Sequence, residues 1–284
     1  MLLKEIKNIF HTELKTLYTK EEITNFFYIL LDHYLGLESF ILALEPQKII
    51  SKTEEQPLFE ALTLLKQERP IQYITNTSFF FDLRFYVDDN VLIPRPETEE
   101  LVEWIISSVS GGDGTPIKIL DIGTGSGCIA LTLAKHLPQA KVYALDVSEA
   151  ALNVARKNAE LLKLDIHLVQ GDILSMDRLP EQFDIIVSNP PYVRELEKKE
   201  IRNNVKDHEP AKALFVPDNT PLLFYKKIGE LAAQFLTRRG SLYFEINQYL
   251  GKETGELLKH QNFLEIEGRK DHFGNDRMLK AKKR

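Results

Sequence analysis

At 284 residues, 43% hydrophobic and 27% charged, the chain has the make-up of a soluble globular protein with room for one large domain or two modest ones. Its net charge of −6 argues against a protein that grips duplex nucleic acid by the phosphates, which calls for a basic footprint. A single cysteine, Cys128, rules out an internal disulfide, no apolar run approaches the ~20 residues of a bilayer span, and Lys4, Glu5 and Lys7 break up any signal-peptide core, so a cytoplasmic location with no membrane partner is expected.

Apolar residues recur at helical spacing through residues 1–70: Ile6, Ile9, Phe10 and Leu14, then Ile23, Phe26, Phe27, Leu30 and Leu31, then Leu58, Leu62 and Leu65. This segment reads as a helical domain without a recognisable cluster of titratable groups. Residues 71–93, with Tyr73 and the alternation Phe79, Phe81, Leu83, Phe85, read as a β-hairpin linker turning at Asp88-Asp89-Asn90. The third domain, 94–284, opens on Pro94-Arg95-Pro96-Glu97-Thr98-Glu99. Proline at the start and acids in the first turn favour a helix N-terminus, here running through Leu101, Val102, Trp104 and Ile105.

A Gly-rich linker, 110–116, ends that helix. Strand and helix then alternate: 117–122, 127–136, 141–146, 148–163, 166–169 and 183–188. Such alternation predicts an α/β fold, a parallel sheet with helices on both faces. A helix at 222–238, a strand at 241–246, a helix at 252–260 and closing strands near 263–267 and 277–281 complete it.

Where the first of these strands turns into its helix stands Asp121-Ile122-Gly123-Thr124-Gly125-Ser126-Gly127. Glycines let the backbone approach a ligand closely, and the helix N-terminus adds N–H groups. Asp146, at the end of the second strand, is placed to accept both ribose hydroxyls of a nucleoside. Asp172, after the third strand, is placed to reach an adenine edge, with Ile173 packing on the ring. Two ligands compete. Gly125-x-Gly127-x-x-Ala130 with an acid about 20 residues on suits NAD. Asp121 leading the glycines, Asp172 as a second acid, and the lack of a hydride-acceptor arrangement favour S-adenosylmethionine.

Asn189-Pro190-Pro191-Tyr192 directly follows the apolar run 183–188. Two prolines can neither extend the sheet nor start a helix. They leave acceptors: the Asn189 side-chain oxygen and the carbonyls of Asn189 and Pro190, with Tyr192 adding a flat face. That set suits a planar –NH2 group. Ligands of open α/β sheets bind beyond the carboxyl ends of the strands, so the Gly loop, Asp146, Asp172 and Asn189 share one crevice. Methyl transfer is an in-line displacement at carbon, and acceptors that hold both hydrogens of an amide aim its nitrogen and stabilise the charge growing on it. Asn189, Pro190 and Tyr192 are the expected catalytic residues, and Asn189, Pro190, Pro191 and Tyr192 the expected substrate contacts. The seven scattered histidines point to no metal. The charged run from Arg194 to Lys206 reads either as a solvated helix or mobile loop or, from its position just past Tyr192, as a gate for the substrate. Arg95 reads either as an organiser of site loops or as an ordinary surface ion pair.

Over nearly its whole length the chain resembles the protein-(glutamine-N5) methyltransferases that modify peptide-chain release factors. The resemblance rests on Pro70-Ile-Gln-Tyr73-Ile, Phe81-x-x-x-Phe85-x-Val87, Val91-Leu-Ile-Pro-Arg95-Pro-Glu97-Thr-Glu99, the Gly loop, Asn189-Pro-Pro-Tyr192-Val and Glu209-Pro210-x-x-Ala213-Leu214. Nucleic-acid amino-methyltransferases share the Asn-Pro-Pro-aromatic loop but generally not the Pro-Arg-Pro-Glu-Thr-Glu stretch.

The resemblance implies a seven-stranded, Rossmann-like class I methyltransferase sheet with a small helical N-terminal domain and a connecting hairpin. It implies S-adenosyl-L-methionine held by Gly123, Thr124, Gly125, Ser126, Gly127, Asp146, Asp172, Ile173 and Asn189. The substrate it implies is the glutamine of the Gly-Gly-Gln tip of class I release factors, docked with help from residues 1–70. A monomer with no direct nucleic-acid substrate is expected. The alternative is an exocyclic-amine methyltransferase acting on adenine or guanine, which must extract the base from its stack. Three departures touch loops near the rim: Asn76 stands for a usual Gly, Phe215-Val216 for Gly-Gly, and Asn247 for the Gly of a Glu-Ile-Gly turn. Asn at 76 tolerates the left-handed conformation.

Overall fold

The structure, a computed structural model, describes residues 1–109 and 116–284; the expected linker, apart from Pro116, lies outside the described residues. The chain forms two units, Met1–Thr77 with Arg202–His208 and Ser78–Ile201 with Glu209–Arg284.

The first unit is helical. Helix α1 (Leu3–Leu14) buries Leu3, Ile6, Phe10 and Leu14, one stripe at helical spacing. Helix α2 (Lys20–Leu35) starts at a capping box, with Thr19 Oγ1 accepting from Glu22 N at 3.2 Å and Glu22 Oε2 accepting from Thr19 N at 2.9 Å. After the short α3 (Ile41–Leu44), Ser51 caps α4 (Lys52–Lys66) in the same way. Phe10 and Phe27 meet edge to face at 5.4 Å in the core, and truncating either to Ala costs about 3–5 kcal/mol. Helix α5 (Ile71–Thr75) stands where β-structure is expected. Its Ile71, Tyr73 and Ile74 are buried, and Asn76 (φ +48°) ends it in the left-handed conformation that the Gly-to-Asn departure predicts. From far along the sequence, Arg202–His208 joins this unit: Arg202 pairs with Glu22 at 3.2 Å and the His208 ring donates to Gln67 O at 2.9 Å.

The second unit begins with a hairpin of β1 (Ser78–Phe80) and β2 (Leu83–Phe85). Its tip is Phe81-Asp82, both at positive φ (51° and 59°), rather than Asp88–Asn90. The latter is a side-chain turn further on, where Asp88 Oδ1 accepts from Asn90 N at 3.0 Å. Phe81 and Asp82 are not the Asn-Gly pair that announces a two-residue tip, so the apolar alternation fails before the tip, at Phe79, and holds after it, at Leu83 and Phe85. Phe80 and Phe85 are buried, whereas Phe79 is 70% exposed.

Helix α6 (Pro96–Val109) leads into β3 (Lys118–Ile122), α7 (Cys128–His136), β4 (Lys141–Asp146), α8 (Glu149–Leu162), β5 (His167–Gln170) and β6 (Phe183–Ser188). A small parallel pair, β7 (Val193–Arg194) and β8 (Phe215–Val216), follows. The helix Leu223–Phe235, β9 (Leu236–Glu245), the helix Gly251–His260, β10 (Phe263–Lys270) and β11 (Asp276–Lys283) complete the unit. Strand β9 starts sooner than predicted because Leu236 already pairs with Phe183.

The seven main strands form the expected sheet, in the order β10-β11-β9-β6-β3-β4-β5. Strands β3, β4, β5, β6 and β9 run parallel, and β11 is antiparallel to both its neighbours. Side chains alternate across the sheet, so Leu120, Leu145, Ile186 and Phe244 pack on Tyr225, Ile228 and Leu258 on one face. Ile119, Val142, Ile185 and Tyr243 pack on Leu101, Trp104 and Ile129 on the other. Burial on both faces is why these strands read as unbroken apolar runs.

Candidate active site

Register brings the strand ends level. Ile122 lies opposite Leu145 and Ser188, Leu145 opposite Val169, and Ser188 opposite Phe244. The next residues out are Gly123, Asp146, Asn189 and Glu245, with Asp172 just past β5. Four of the sequence-predicted positions therefore leave the same edge of one sheet.

At the Gly loop, Gly123 N and Thr124 N donate to Leu145 O at 2.8 and 3.0 Å, and Gly125 N donates to Asp146 Oδ2 at 2.9 Å. Gly123 (φ +76°) and Gly125 (φ +54°) lie in the left-handed region, and a Cβ at either would meet nothing within 4 Å. A Cβ on Gly127 would stand 3.1 Å from Leu131 Cδ1 and 3.2 Å from Ala155 Cβ, so this glycine serves the packing of α7 against α8. Thr124 and Ser126 are buried in the loop. Asn158 of α8, fully buried, clamps it by donating to Ser126 O and Tyr86 O, both at 2.9 Å.

Asp146 accepts from Gly125 N at Oδ2 and from Ser148 N at Oδ1 (2.9 Å), which leaves lone pairs on both oxygens. Asp172 is exposed, with Oδ1 accepting from Leu174 N at 2.9 Å. Ile173 is only 6% exposed and belongs to the apolar layer that contains Leu145 and Leu179.

Beyond β6, Asn189 Nδ2 donates to Thr98 Oγ1 at 3.3 Å, Pro190 is buried and Pro191 half-buried. The Tyr192 ring packs against the first apolar layer and its hydroxyl donates to Glu245 Oε1 at 2.9 Å. Glu245, 1% exposed, accepts a second bond from Thr98 Oγ1 at 2.5 Å. Asn247 fixes the loop's exit by donating to Tyr192 O and Glu197 Oε2, both at 3.0 Å. It is buried beneath the loop rather than placed at a rim. The charged run past Tyr192 is not uniformly solvated, since Glu197 is buried and accepts from Arg194 N at 2.8 Å.

Two carboxyls at the strand ends are raised above their ordinary range. Burial raises Asp121 from 3.8 to about 7; the Thr124 hydrogen bond at 2.6 Å opposes the rise and Asp146 adds to it. Asp121 Oδ1 and Ser126 Oγ make no hydrogen bond of normal geometry, although the Ala130 N–H is near enough to favour the ionised Asp121 slightly. Burial also raises Glu245, against the pull of Thr98, Tyr192 and Arg277. The Tyr192 phenol is pushed far up by burial and by Glu245, which fixes it as a donor. Burial works against the Arg277 cation, yet Tyr192, Asp271 and Glu245 hold it above its ordinary range.

Arg95 makes an ion pair with the buried Glu209 at 2.5 Å, and Glu209 also accepts from Ile93 N at 3.2 Å. Two motif stretches of the sequence are joined there. Asn158 and Glu245 are not among the sequence-predicted site residues, while Thr98 stands there only as part of a motif and Asn247 only as a departure placed at the rim. Glu245 has a legible signal, a carboxylate at the inner end of an apolar run. Asn158 has none, for an Asn on a helix is ordinary. Among the described residues, no group of three or more His, Cys, Asp or Glu is arranged to hold a metal, and no helix is long and apolar enough to cross a membrane.

The family described as the methyltransferase small domain matches residues 106–208. Two solved structures share the fold: a methyltransferase from Pyrococcus furiosus (TM-score 0.52, 20% identity, 82% of this chain and 99% of that one) and the Thermus thermophilus 16S rRNA N2 G1207 methyltransferase (TM-score 0.54, 21% identity, 73% of this chain and 50% of that one). Much nearer in sequence are proteins named release factor glutamine methyltransferase. That of Flavobacterium psychrophilum is 52% identical over 99% of both chains. That of Bacteroides thetaiotaomicron is 42% identical over 94% of this chain and 95% of its own. That of Streptococcus pneumoniae is 39% identical over 98% of both. With identity at this level from end to end, and a methyltransferase sheet beneath it, the chain belongs to the release factor glutamine methyltransferase family.

Proposed function

We propose that the protein transfers a methyl group from S-adenosyl-L-methionine to the side-chain amide nitrogen, N5, of the glutamine in the Gly-Gly-Gln motif of class I peptide-chain release factors. The observation that carries this reading is the position of Asn189, one strand away from the Gly loop and level with it, in a loop made stiff by two prolines.

The residues present fit the donor. The open space at Gly123 and Gly125 admits a ligand against the backbone, and Asp121 Oδ1 and Ser126 Oγ are buried polar atoms that make no hydrogen bond of normal geometry. Gly123, Thr124, Gly125, Ser126, Gly127, Asp146, Asp172, Ile173 and Asn189 are assigned to it. Bound there, the donor supplies an electrophilic methyl carbon on a sulfonium.

The protein's own part is orientation and charge. The Asn189 side-chain oxygen and the Asn189 and Pro190 carbonyls accept the two hydrogens of the glutamine amide and turn its nitrogen toward the methyl. The same acceptors stabilise the positive charge that grows on nitrogen as the bond forms. Pro191 and Tyr192 hold the loop and line the acceptor side. No base is required before transfer, because the methylated nitrogen is strongly acidic and loses its proton afterwards.

Residues 1–70 are assigned to docking the release factor, 71–93 to the link and 94–284 to catalysis. The protein acts in the cytoplasm as a monomer, with neither nucleic acid nor membrane as its target. Incubation with methyl-labelled donor and either a release factor or duplex DNA tests this, with mass mapping of the labelled residue. Label on the Gly-Gly-Gln glutamine is expected, and label on DNA alone overturns the reading. Asn189→Ala is expected to lower kcat about 10²–10³-fold while donor affinity changes far less.

A further inference from the structure

We propose that Glu245 is a positioning residue for methyl transfer: acting through Thr98, it sets which way the Asn189 amide faces, and through Tyr192 it fixes the other end of the same loop. The inference rests on the reading above, in which the Asn189 oxygen receives the substrate amide.

Glu245 ends β9 beside Asn189, since Ser188 and Phe244 are opposite one another in register. At 1% exposure it must be compensated by hydrogen bonds. Its two oxygens have different partners, Thr98 at Oε2 (2.5 Å) and Tyr192 at Oε1 (2.9 Å). Both oxygens accept, Oε2 from the Thr98 hydroxyl and Oε1 from the Tyr192 hydroxyl. The single hydroxyl proton of Thr98 is therefore committed to Glu245, and Thr98 Oγ1 has only lone pairs to offer Asn189. The group that meets it must be the Asn189 NH2, as found at 3.3 Å. Because the amide is planar, this turns Asn189 Oδ1 away from Thr98, free to accept from a substrate.

A half-turn of that amide would bring two acceptors together, with the cost of an unsatisfied buried pair. The accepting oxygen Oε2 of Glu245 thus dictates the polarity of a side chain that Glu245 does not touch. The second arm is independent. Tyr192 donates to the same carboxylate while Asn247 donates to the Tyr192 carbonyl, so the last residue of the Asn189–Tyr192 loop is held at its hydroxyl and at its carbonyl by residues at and just past the end of β9. Arg277 donates to Asp271 at 3.0 Å and to Tyr192 Oη at 3.4 Å, so it backs the phenol and acts on Glu245 through space rather than by a hydrogen bond.

A glutamine at 245 breaks this logic. Its amide has one accepting and one donating end, so one of Thr98 and Tyr192 must become an acceptor. If it is Thr98, its proton is released toward Asn189 and the amide turns over. Valine at 98 keeps the shape and removes the relay, and serine restores it.

The full-length protein, assayed with release factor and labelled donor, separates the outcomes. Glu245→Gln and Thr98→Val are each expected to lower kcat roughly a hundredfold, with donor affinity by calorimetry held within about twofold. Thr98→Ser should recover most of the loss. The double variant should be little worse than either single one, because both act through one chain of bonds. If Asn189→Ala cripples turnover but Thr98→Val leaves kcat within about threefold of wild type, the relay is wrong and the assigned function stands. If Asn189→Ala is itself fully active, the amide-grip reading falls and the relay with it. Should Glu245→Gln fail to fold, Thr98→Val and its serine rescue decide the matter alone.

Discussion

Asp121 places a titration near neutrality inside the Gly-loop strand. Burial lifts its carboxyl to about 7 from an ordinary 3.8. A carboxyl whose folded value lies above its unfolded one contributes stability that is full below about 4 and is lost as pH rises through about 7. The ligand-free protein should therefore melt lower, from this group, as pH increases across that window, and Asp121→Asn should flatten the trend. A cationic methyl donor bound nearby favours the ionised form. Donor affinity is accordingly expected to rise with pH up to about 7 and then level off, with a proton released on binding at lower pH. Calorimetry in buffers of different ionisation enthalpy reads that proton, and Asp121→Asn should abolish it.

At the scale of the element, the Gly loop separates Gly125, whose added Cβ would face open space, from Gly127, whose added Cβ would meet two packed helices. Gly125→Ala imposes left-handed strain of about 1–2 kcal/mol but no clash, since its Cβ faces open space. It should melt only slightly lower and yet lose donor affinity tenfold or more, about 1.4 kcal/mol. Gly127→Ala adds contacts at 3.1 and 3.2 Å with Leu131 and Ala155 to comparable strain. Its cost should fall on unfolding free energy, about 2–4 kcal/mol in denaturant titrations. The β1–β2 hairpin teaches the opposite lesson about legibility. Period-two apolar spacing identifies a strand, but which parity faces the core depends on where the tip falls. Phe81-Asp82 forms a tip without the residues that signal one.

Across the whole molecule, the pair Arg95–Glu209 joins two stretches 114 residues apart. It stands where the chain returns from Arg202–His208, which belongs to the helical unit, to the methyltransferase unit. Glu209's side chain is 1% exposed and Arg95's 32%, so the carboxylate is the vulnerable partner. Burial raises Glu209 even with Arg95 beside it. Arg95→Ala strands that charge and should destabilise by about 1–3 kcal/mol, discounted for the exposed guanidinium. Glu209→Gln, which keeps the acceptor for Ile93 N and removes the charge, should cost less. Thermal unfolding of both variants checks the order.

The chain by itself determined the alternating α/β order, the Gly loop, Asp146, Asp172 and the Asn189–Tyr192 loop. These depend on local rules: apolar periodicity, proline's missing donor, and glycine's access to positive φ. Even Asn76 was readable, because a left-handed cap is a property of one residue. What only the tertiary structure decided is how those pieces are held. Thr98, Asn158, Glu245 and Asn247 act through partners 32 to 147 residues away. The burial of Ile173, Glu197 and Asn247 is likewise set by neighbours from other strands and helices. A hydrogen bond's direction and a carboxyl's titration depend on what surrounds the group in space, and no spacing along a single chain encodes that.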